Sequence, residues 1–132
     1  MQGLQEVFDL KPKELSWITC GYMGAIGSGQ TTCGLLISAA AALGLACGKG
    51  KSGTPEENET ERARAIALVN ELYRDFIDKF HSTECKTLLD FDFSIEEPSR
   101  FIKEKIYENK CDTFMDFIMN RCMDIAEQKK IS

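Results

Sequence analysis

The sequence has a single histidine, His81, and no Cys-x-x-Cys pair. Structural zinc sites usually carry such paired knuckles at tetrahedral spacing, so architectures built on them are set aside. A basic stripe is also missing. The net charge is -5, and lysines and arginines are interleaved with carboxylates throughout. A phosphate backbone therefore finds no continuous positive surface, and nucleic acid is not an expected partner. The longest apolar run, residues 35–47, is thirteen residues, short of the ~20 that span a bilayer. Direct membrane insertion is not expected. Residues 1–6 lack the basic start and apolar centre of a secretory signal, which points to a cytoplasmic protein. Strand-like alternation is nowhere sustained, and there is no internal repeat.

What is present suits a globular chain. Apolar residues make up 43% and charged residues 28% of the sequence, enough to build a core, and 132 residues predict one domain. Six cysteines exceed ordinary usage. A disulfide scaffold explains them poorly, because a chain with this much core folds unaided.

Leu4, Val7, Phe8 and Leu10 predict a short amphipathic helix, and Pro12 suits the first position of another through Leu15, Trp17 and Ile18. Four glycines in residues 21–29 predict a loop, since each costs a helix about 1 kcal/mol relative to alanine. Helix is expected again after Thr31 or Thr32, ending in the glycine- and lysine-rich segment 44–53. Thr54-Pro55-Glu56-Glu57 combines a capping threonine, a proline at the first helical position and a glutamate at the third. Ile66, Val69, Tyr73, Phe76 and Phe80 then recur at three- and four-residue steps, predicting a long core-facing helix from Thr54 onward. A short helix over 85–89 follows, then an acidic, aromatic connection through Phe91 and Phe93, then helix from Pro98 to about Tyr107. The last helix is expected from near Asn109, with Cys111, Phe114, Ile118, Cys122 and Ile125 on one face. The expected fold is all-α, a compact bundle of about five to six helices forming a single domain over 1–132.

Three sulfurs stand apart by position. Cys33 follows Thr31 and Thr32, Cys85 follows Ser82 and Thr83, and Cys111 follows Asn109, so each is expected in the first turn of a helix, facing unpaired amides. The partial positive charge there stabilises a thiolate and lowers a thiol pKa from its free value of about 8.5. Cys20, Cys47 and Cys122 fall late or midway in helices and read as packing residues. Residues eleven and fourteen apart on one helix are separated by roughly 16 and 21 Å, which excludes Cys111–Cys122 and Cys33–Cys47 as intrachain disulfides. The segment Gly24-Ala25-Ile26-Gly27-Ser28-Gly29-Gln30-Thr31 comes within one residue of a phosphate-binding loop, but Gln30 replaces the required lysine. It reads as a tight loop that carries backbone close to a neighbouring helix or to the cysteines. His81 reads as a surface or loop residue, with a metal-ligand role as the alternative.

Gly27-Ser28-Gly29-Gln30-Thr31-Thr32-Cys33-Gly34, then Leu43-Gly44-Leu45, then Phe76-Ile77-Asp78-Lys79-Phe80-His81-Ser82-Thr83-Glu84-Cys85-Lys86-Thr87-Leu88-Leu89, and finally Cys111, together resemble the C_GCAxxG_C_C family over nearly the whole chain. That family is a small helical group with four characteristic cysteines, described as redox-active and often encoded near transporter genes. The resemblance implies that Cys33, Cys85 and Cys111 take the last three cysteine places, the first belonging upstream of residues 4–10. The family element Cys-Gly-Ala-x-x-Gly stands here as Cys33-Gly34-Leu35-Leu36-Ile37-Ser38, and His81 occupies a place where the family commonly has glycine.

The resemblance and the thiol positions together imply redox chemistry. Cys33, on an approachable glycine-rich loop, attacks a disulfide or oxidant, and Cys85 or Cys111 resolves the intermediate. A second expectation is an iron–sulfur cluster or metal held by the three cysteines, with His81 or a residue of a partner subunit. A third is a structural or transporter-associated subunit with unreactive thiols. The partners to expect are a second copy forming a homodimer, a redox partner, or a membrane transporter system. Whether the chain is an enzyme stays open at this level.

Overall fold

Fifteen consecutive residues without a charge fold as one helix, Gly34–Gly48, and a helix that is apolar all round has to be covered by its neighbours. The computed structural model describes residues 1–128, and it covers this helix from several sides. Among the described residues there are seven α-helices: α1 (Gln2–Val7), α2 (Met23–Ile26), α3 (Gly34–Gly48), α4 (Glu59–Phe80), α5 (Cys85–Leu89), α6 (Pro98–Lys103) and α7 (Asp112–Gln128). Two 3-10 turns, Lys13–Trp17 and Cys20–Tyr22, precede α2, and a π turn, Tyr107–Cys111, leads into α7. The α3–α4 pair is the body of the fold, α7 packs on both, and α1 lies against α7 and α3. The only extended pairing among the described residues is an isolated antiparallel bridge between Thr32 and Glu84. No described helix is long and apolar enough to cross a membrane.

The fold is all-α as expected, with seven helices instead of five to six. Two local features account for much of the difference. The glycine-rich segment is not a plain loop, because residues 20–26 wind into a 3-10 turn and the one-turn α2. Lys105 takes a left-handed φ of 50°, which ends α6 before Tyr107 and lets a new helical stretch begin at Ile106.

The core draws Leu36, Ala39, Leu43 and Cys47 from α3, Leu68, Leu72 and Phe76 from α4, and Phe114, Ile118, Cys122 and Ile125 from α7. The α7 stripe is the one its spacing predicts. On α4 the buried face is rotated from the expected one: Ile66 is 53% and Tyr73 39% exposed, while Leu68 and Leu72 are buried. Both stripes share Phe76 and run at helical spacing, so periodicity alone does not choose between them. Four rings, Phe76, Phe80, Phe114 and Phe117, fill the α4–α7 contact, with centroids 4.7 Å apart for Phe76–Phe80 and 4.8 Å for Phe80–Phe114.

The ends of α4 show how local chemistry is used. The capping box forms, with Thr54 N–H donating to Glu57 Oε2 at 2.6 Å and Glu57 N–H donating to Thr54 Oγ1 at 3.3 Å. It closes a turn, however, and regular helix begins later than expected, at Glu59. At the other end His81 adopts φ 68° and donates its N–H to Ile77 O at 2.7 Å. This is the left-handed helix end that glycine normally serves.

Removing the ring of Phe76, which is fully buried, should cost about 3–5 kcal/mol of stability, read as a lowered urea midpoint in Phe76→Ala. His81→Gly should gain about 0.5–1 kcal/mol by relieving the left-handed strain of a residue with a Cβ. A loss in the same measurement would mean that the imidazole contributes contacts worth more than the strain.

Candidate functional site

The bridge between Thr32 and Glu84 joins the two stretches of chain that carry the first two candidate sulfurs. Cys33 N–H donates to Thr83 O at 2.7 Å, and Cys85 N–H donates to Thr31 O at 3.0 Å. Side chains alternate sides along extended backbone, so Cys33 and Cys85, each one residue beyond the bridged pair, project to the same side. A third bond, Lys86 N–H to Gly29 O at 2.7 Å, continues the ladder into the glycine-rich loop. Gly29 is needed there: its φ is +73°, and a Cβ would sit 3.0 Å from the Phe93 ring and 3.4 Å from Lys86 Cβ. The loop's hydroxyls are spent internally, with Ser28 Oγ and Thr31 Oγ1 both donating to Ala25 O. The near-match to a phosphate loop is thus a stitch that brings backbone up to α5.

Cys111 arrives from the other end of the chain. It closes the π turn, in which Asp112 N–H donates to Tyr107 O five residues back. The expected last-helix start near Asn109 is therefore corrected: Asn109 lies inside the π turn, and regular α-helix begins at Asp112. The π turn packs against α5, and Lys110 Nζ donates to Leu89 O at 2.9 Å, tying the residue beside Cys111 to the end of the helix that starts with Cys85.

Two of the three sulfurs feel a neighbouring one. Cys33 raises the pKa of Cys85, and Cys33 and Cys85 both raise that of Cys111, each through repulsion between like charges. Burial is the largest effect at all three. It pushes the Cys33 thiol up, against a smaller downward pull from the Leu35 and Leu36 amides. It pushes Cys85 up to about 11, with help from Cys33 and Glu84. It pushes Cys111 up to about 12, with help from Cys33, Cys85 and Asp112.

The expected lowering at helix starts does not occur, and the ladder explains part of the reason. The first two amides of α5, Cys85 N–H and Lys86 N–H, are engaged by Thr31 and Gly29 carbonyls and do not face sulfur. Cys33 is itself the N-cap of α3 yet makes no side-chain cap hydrogen bond. Cys33 is also 7% and Cys85 9% exposed, so Cys33 is not the approachable thiol that its glycine-rich approach suggested. Cys111, half-buried, is the most open of the three.

The other cysteines divide. Cys47 and Cys122 are buried as expected, and burial raises both, Cys122 to about 12. Cys20 is exposed, against its packing reading, with Sγ 3.6 Å from Ser16 O. All six are free thiols. His81 is exposed at the end of α4. Among the described residues no group of three or more His, Cys, Asp or Glu side chains is arranged to hold a metal ion.

Two contributors escaped sequence reasoning. Tyr73 OH lies 3.1 Å from Thr83 Oγ1, holding the strand that receives Cys33 N–H, and its place in the apolar pattern masked that polar role. Lys110 carried no signal beyond adjacency to Cys111. Ser38 on α3 is buried, and its hydroxyl pairs with Thr19 Oγ1 at 3.0 Å.

The profile of a family described as "Putative redox-active protein (C_GCAxxG_C_C)" matches residues 1–125. No curated protein and no solved structure shows significant similarity. With residues 1–125 matched, the chain belongs to the C_GCAxxG_C_C family.

Proposed function

We propose that this chain is a thiol-based redox protein in which Cys33, Cys85 and Cys111 pass between thiol and disulfide. The observation that carries the reading is the meeting of three sulfur-bearing stretches: the backbone ladder joins those of Cys33 and Cys85, and the turn of Cys111 packs on α5, with Cys33 and Cys85 near enough to shift the titration of Cys111. Thiol–disulfide couples become strong oxidants when the reduced thiolate is stabilised. Here burial and mutual repulsion oppose the thiolate, so the reduced form gains no such support. The site therefore lies toward the reducing end and serves as an electron donor to a disulfide-bonded acceptor.

Exposure assigns the order of events. Cys111 meets the acceptor first, loses its proton and attacks one acceptor sulfur. The acceptor S–S bond breaks, and its other sulfur leaves and is protonated. Cys33, the stronger of the two sulfurs acting on Cys111, then attacks Cys111 Sγ, forming Cys33–Cys111 and releasing the second acceptor thiol. In total, two protein thiols give up two electrons and two protons, and the acceptor disulfide takes them up as two thiols. Cys33 thus resolves the intermediate instead of initiating attack, because it is the more deeply buried.

Two measurements test this. Only the thiolate is nucleophilic, so the rate at which the reduced protein cleaves a small aromatic disulfide should rise about tenfold per pH unit from 7 to 10, and Cys111→Ser should abolish it in a Cys20→Ser background. A pH-independent rate, or one unaffected by Cys111→Ser, would remove the proposed chemistry. Stability should follow the same titrations. Raised thiol pKa values mean that the unfolded chain releases protons first, so the contribution is intact below the ordinary thiol value of 9.0 and is lost as pH climbs toward 11 and 12. Urea midpoints should fall between pH 8.5 and 10.5 by roughly the amount that linkage to three thiols allows, and fall less when Cys33, Cys85 and Cys111 are all serine.

A further inference from the structure

The helical stretch that carries Cys111 begins on one register and ends on another. Ile106 is 5% exposed and packs in the core, as do Phe114, Ile118, Cys122 and Ile125. In an uninterrupted α-helix five residues rotate by about 500°, leaving Ile106 and Cys111 about 140° apart. The π turn, with its hydrogen bond spanning five residues, puts Ile106 and Cys111 on one face. Cys111 is thus the residue at which the two registers meet, and its direction depends on the π turn keeping its extra residue.

A π turn is uncommon, occurring mostly as a single turn set into α-helix, so contacts made from inside it bear on whether it is kept. Lys110 supplies a hold. Its side chain leaves the turn, crosses to α5 and donates to Leu89 O at 2.9 Å, where a cation also meets the negative end of that helix. Because α5 starts with Cys85, which is fixed to the Cys33 stretch by the ladder, this contact ties the Cys111 turn to the helix that carries one of the other sulfurs and, through the ladder, to the stretch that carries the other. The Cys33–Cys85 relation, set by backbone bonds, does not pass through Lys110.

We propose that Lys110 is a positioning residue, pinning the π turn to the end of α5 so that Cys111 stays in reach of Cys33 and the Cys33–Cys111 disulfide can form. This rests on the thiol redox reading above. Without the pin, Cys111 turns away and oxidation is diverted to the Cys33–Cys85 pair.

The test is disulfide mapping by mass spectrometry after reaction of the reduced full-length protein with oxidised glutathione, in a Cys20→Ser background. In each product two protein thiols lose two electrons and two protons, and glutathione disulfide becomes two glutathione thiols. Lys110→Met keeps the apolar stem and loses the donor, Lys110→Gln shortens the reach, and Lys110→Arg retains a donor. The expected result is a drop of about tenfold in the ratio of Cys33–Cys111 to Cys33–Cys85 product in Met and Gln, with recovery in Arg. A residue that only stabilised α5 would lower the unfolding midpoint without moving this ratio below it. An unchanged ratio in Met and Gln overturns the role of Lys110 while leaving the redox reading intact, whereas failure of the parent to form either bond overturns the redox reading itself.

Discussion

Three backbone hydrogen bonds, from Cys33 to Thr83, from Cys85 to Thr31 and from Lys86 to Gly29, are the constraint from which the site follows. They are no part of any helix's own hydrogen bonding, and they join the entrance of α3 to the entrance of α5, two helices that otherwise have no reason to begin at the same place. Buried backbone groups need partners, and here each stretch satisfies the other. Geometry at Gly29 makes the join possible, because only a residue without a side chain admits both the positive φ and the Phe93 ring. The aromatic connection after α5 thus holds the loop in place as well as filling space, Phe93 lying 4.9 Å from Phe91 and 5.6 Å from Phe101, centroid to centroid.

The same join decides the character of the sulfurs. A helix start favours a thiolate through its free amides, but an amide that already donates to a carbonyl offers much less. Once the ladder has used the amides of Cys85 and Lys86, burial has little to oppose it at that sulfur. At Cys33 two amides still act, and burial prevails nonetheless. Clustering adds to the effect, since a site with one thiolate resists a second. Three thiols whose pKa values are all raised therefore stay protonated at neutral pH, and Cys111, half-buried, is the most open of them.

Much of this was legible in the sequence, for reasons that are local. The bounds of α5, the proline at the start of α6, the α7 stripe from Phe114 to Ile125 and the burial of Cys47 and Cys122 all follow from short-range pattern and composition. Position and the family resemblance both point to Cys33, Cys85 and Cys111; the ladder joins the stretches of the first two, and the turn that carries the third packs against α5. What could not be read depends on distant partners. The stripe on α4 was ambiguous between two rotations until α3 and α7 were in place. The π turn has no periodic signature, because one inserted residue looks like noise against a three-and-four pattern. The direction of the thiol shifts was misjudged because position on a helix is local, whereas burial and the fate of each amide are properties of the whole fold.

The departures from the family element bear on how tolerant this arrangement is. Ser38, in the element that resembles the family's, places a hydroxyl in a position 8% exposed, and an unpaired hydroxyl there would carry a desolvation penalty of about 1–3 kcal/mol. Thr19 answers it at 3.0 Å, which also anchors the 3-10 region against α3. Leu35, in the same element, packs half-buried against the core while its amide still faces Cys33. Both changes are absorbed on the flanks of α3, and neither reaches the ladder. His81 likewise bears its strain at the end of α4, four residues before Cys85, without disturbing the bonds that fix that cysteine. These side chains are accommodated around the junction, while the ladder that defines it is made by backbone groups, supported by the Tyr73–Thr83 hydroxyl pair and by the room that Gly29 leaves.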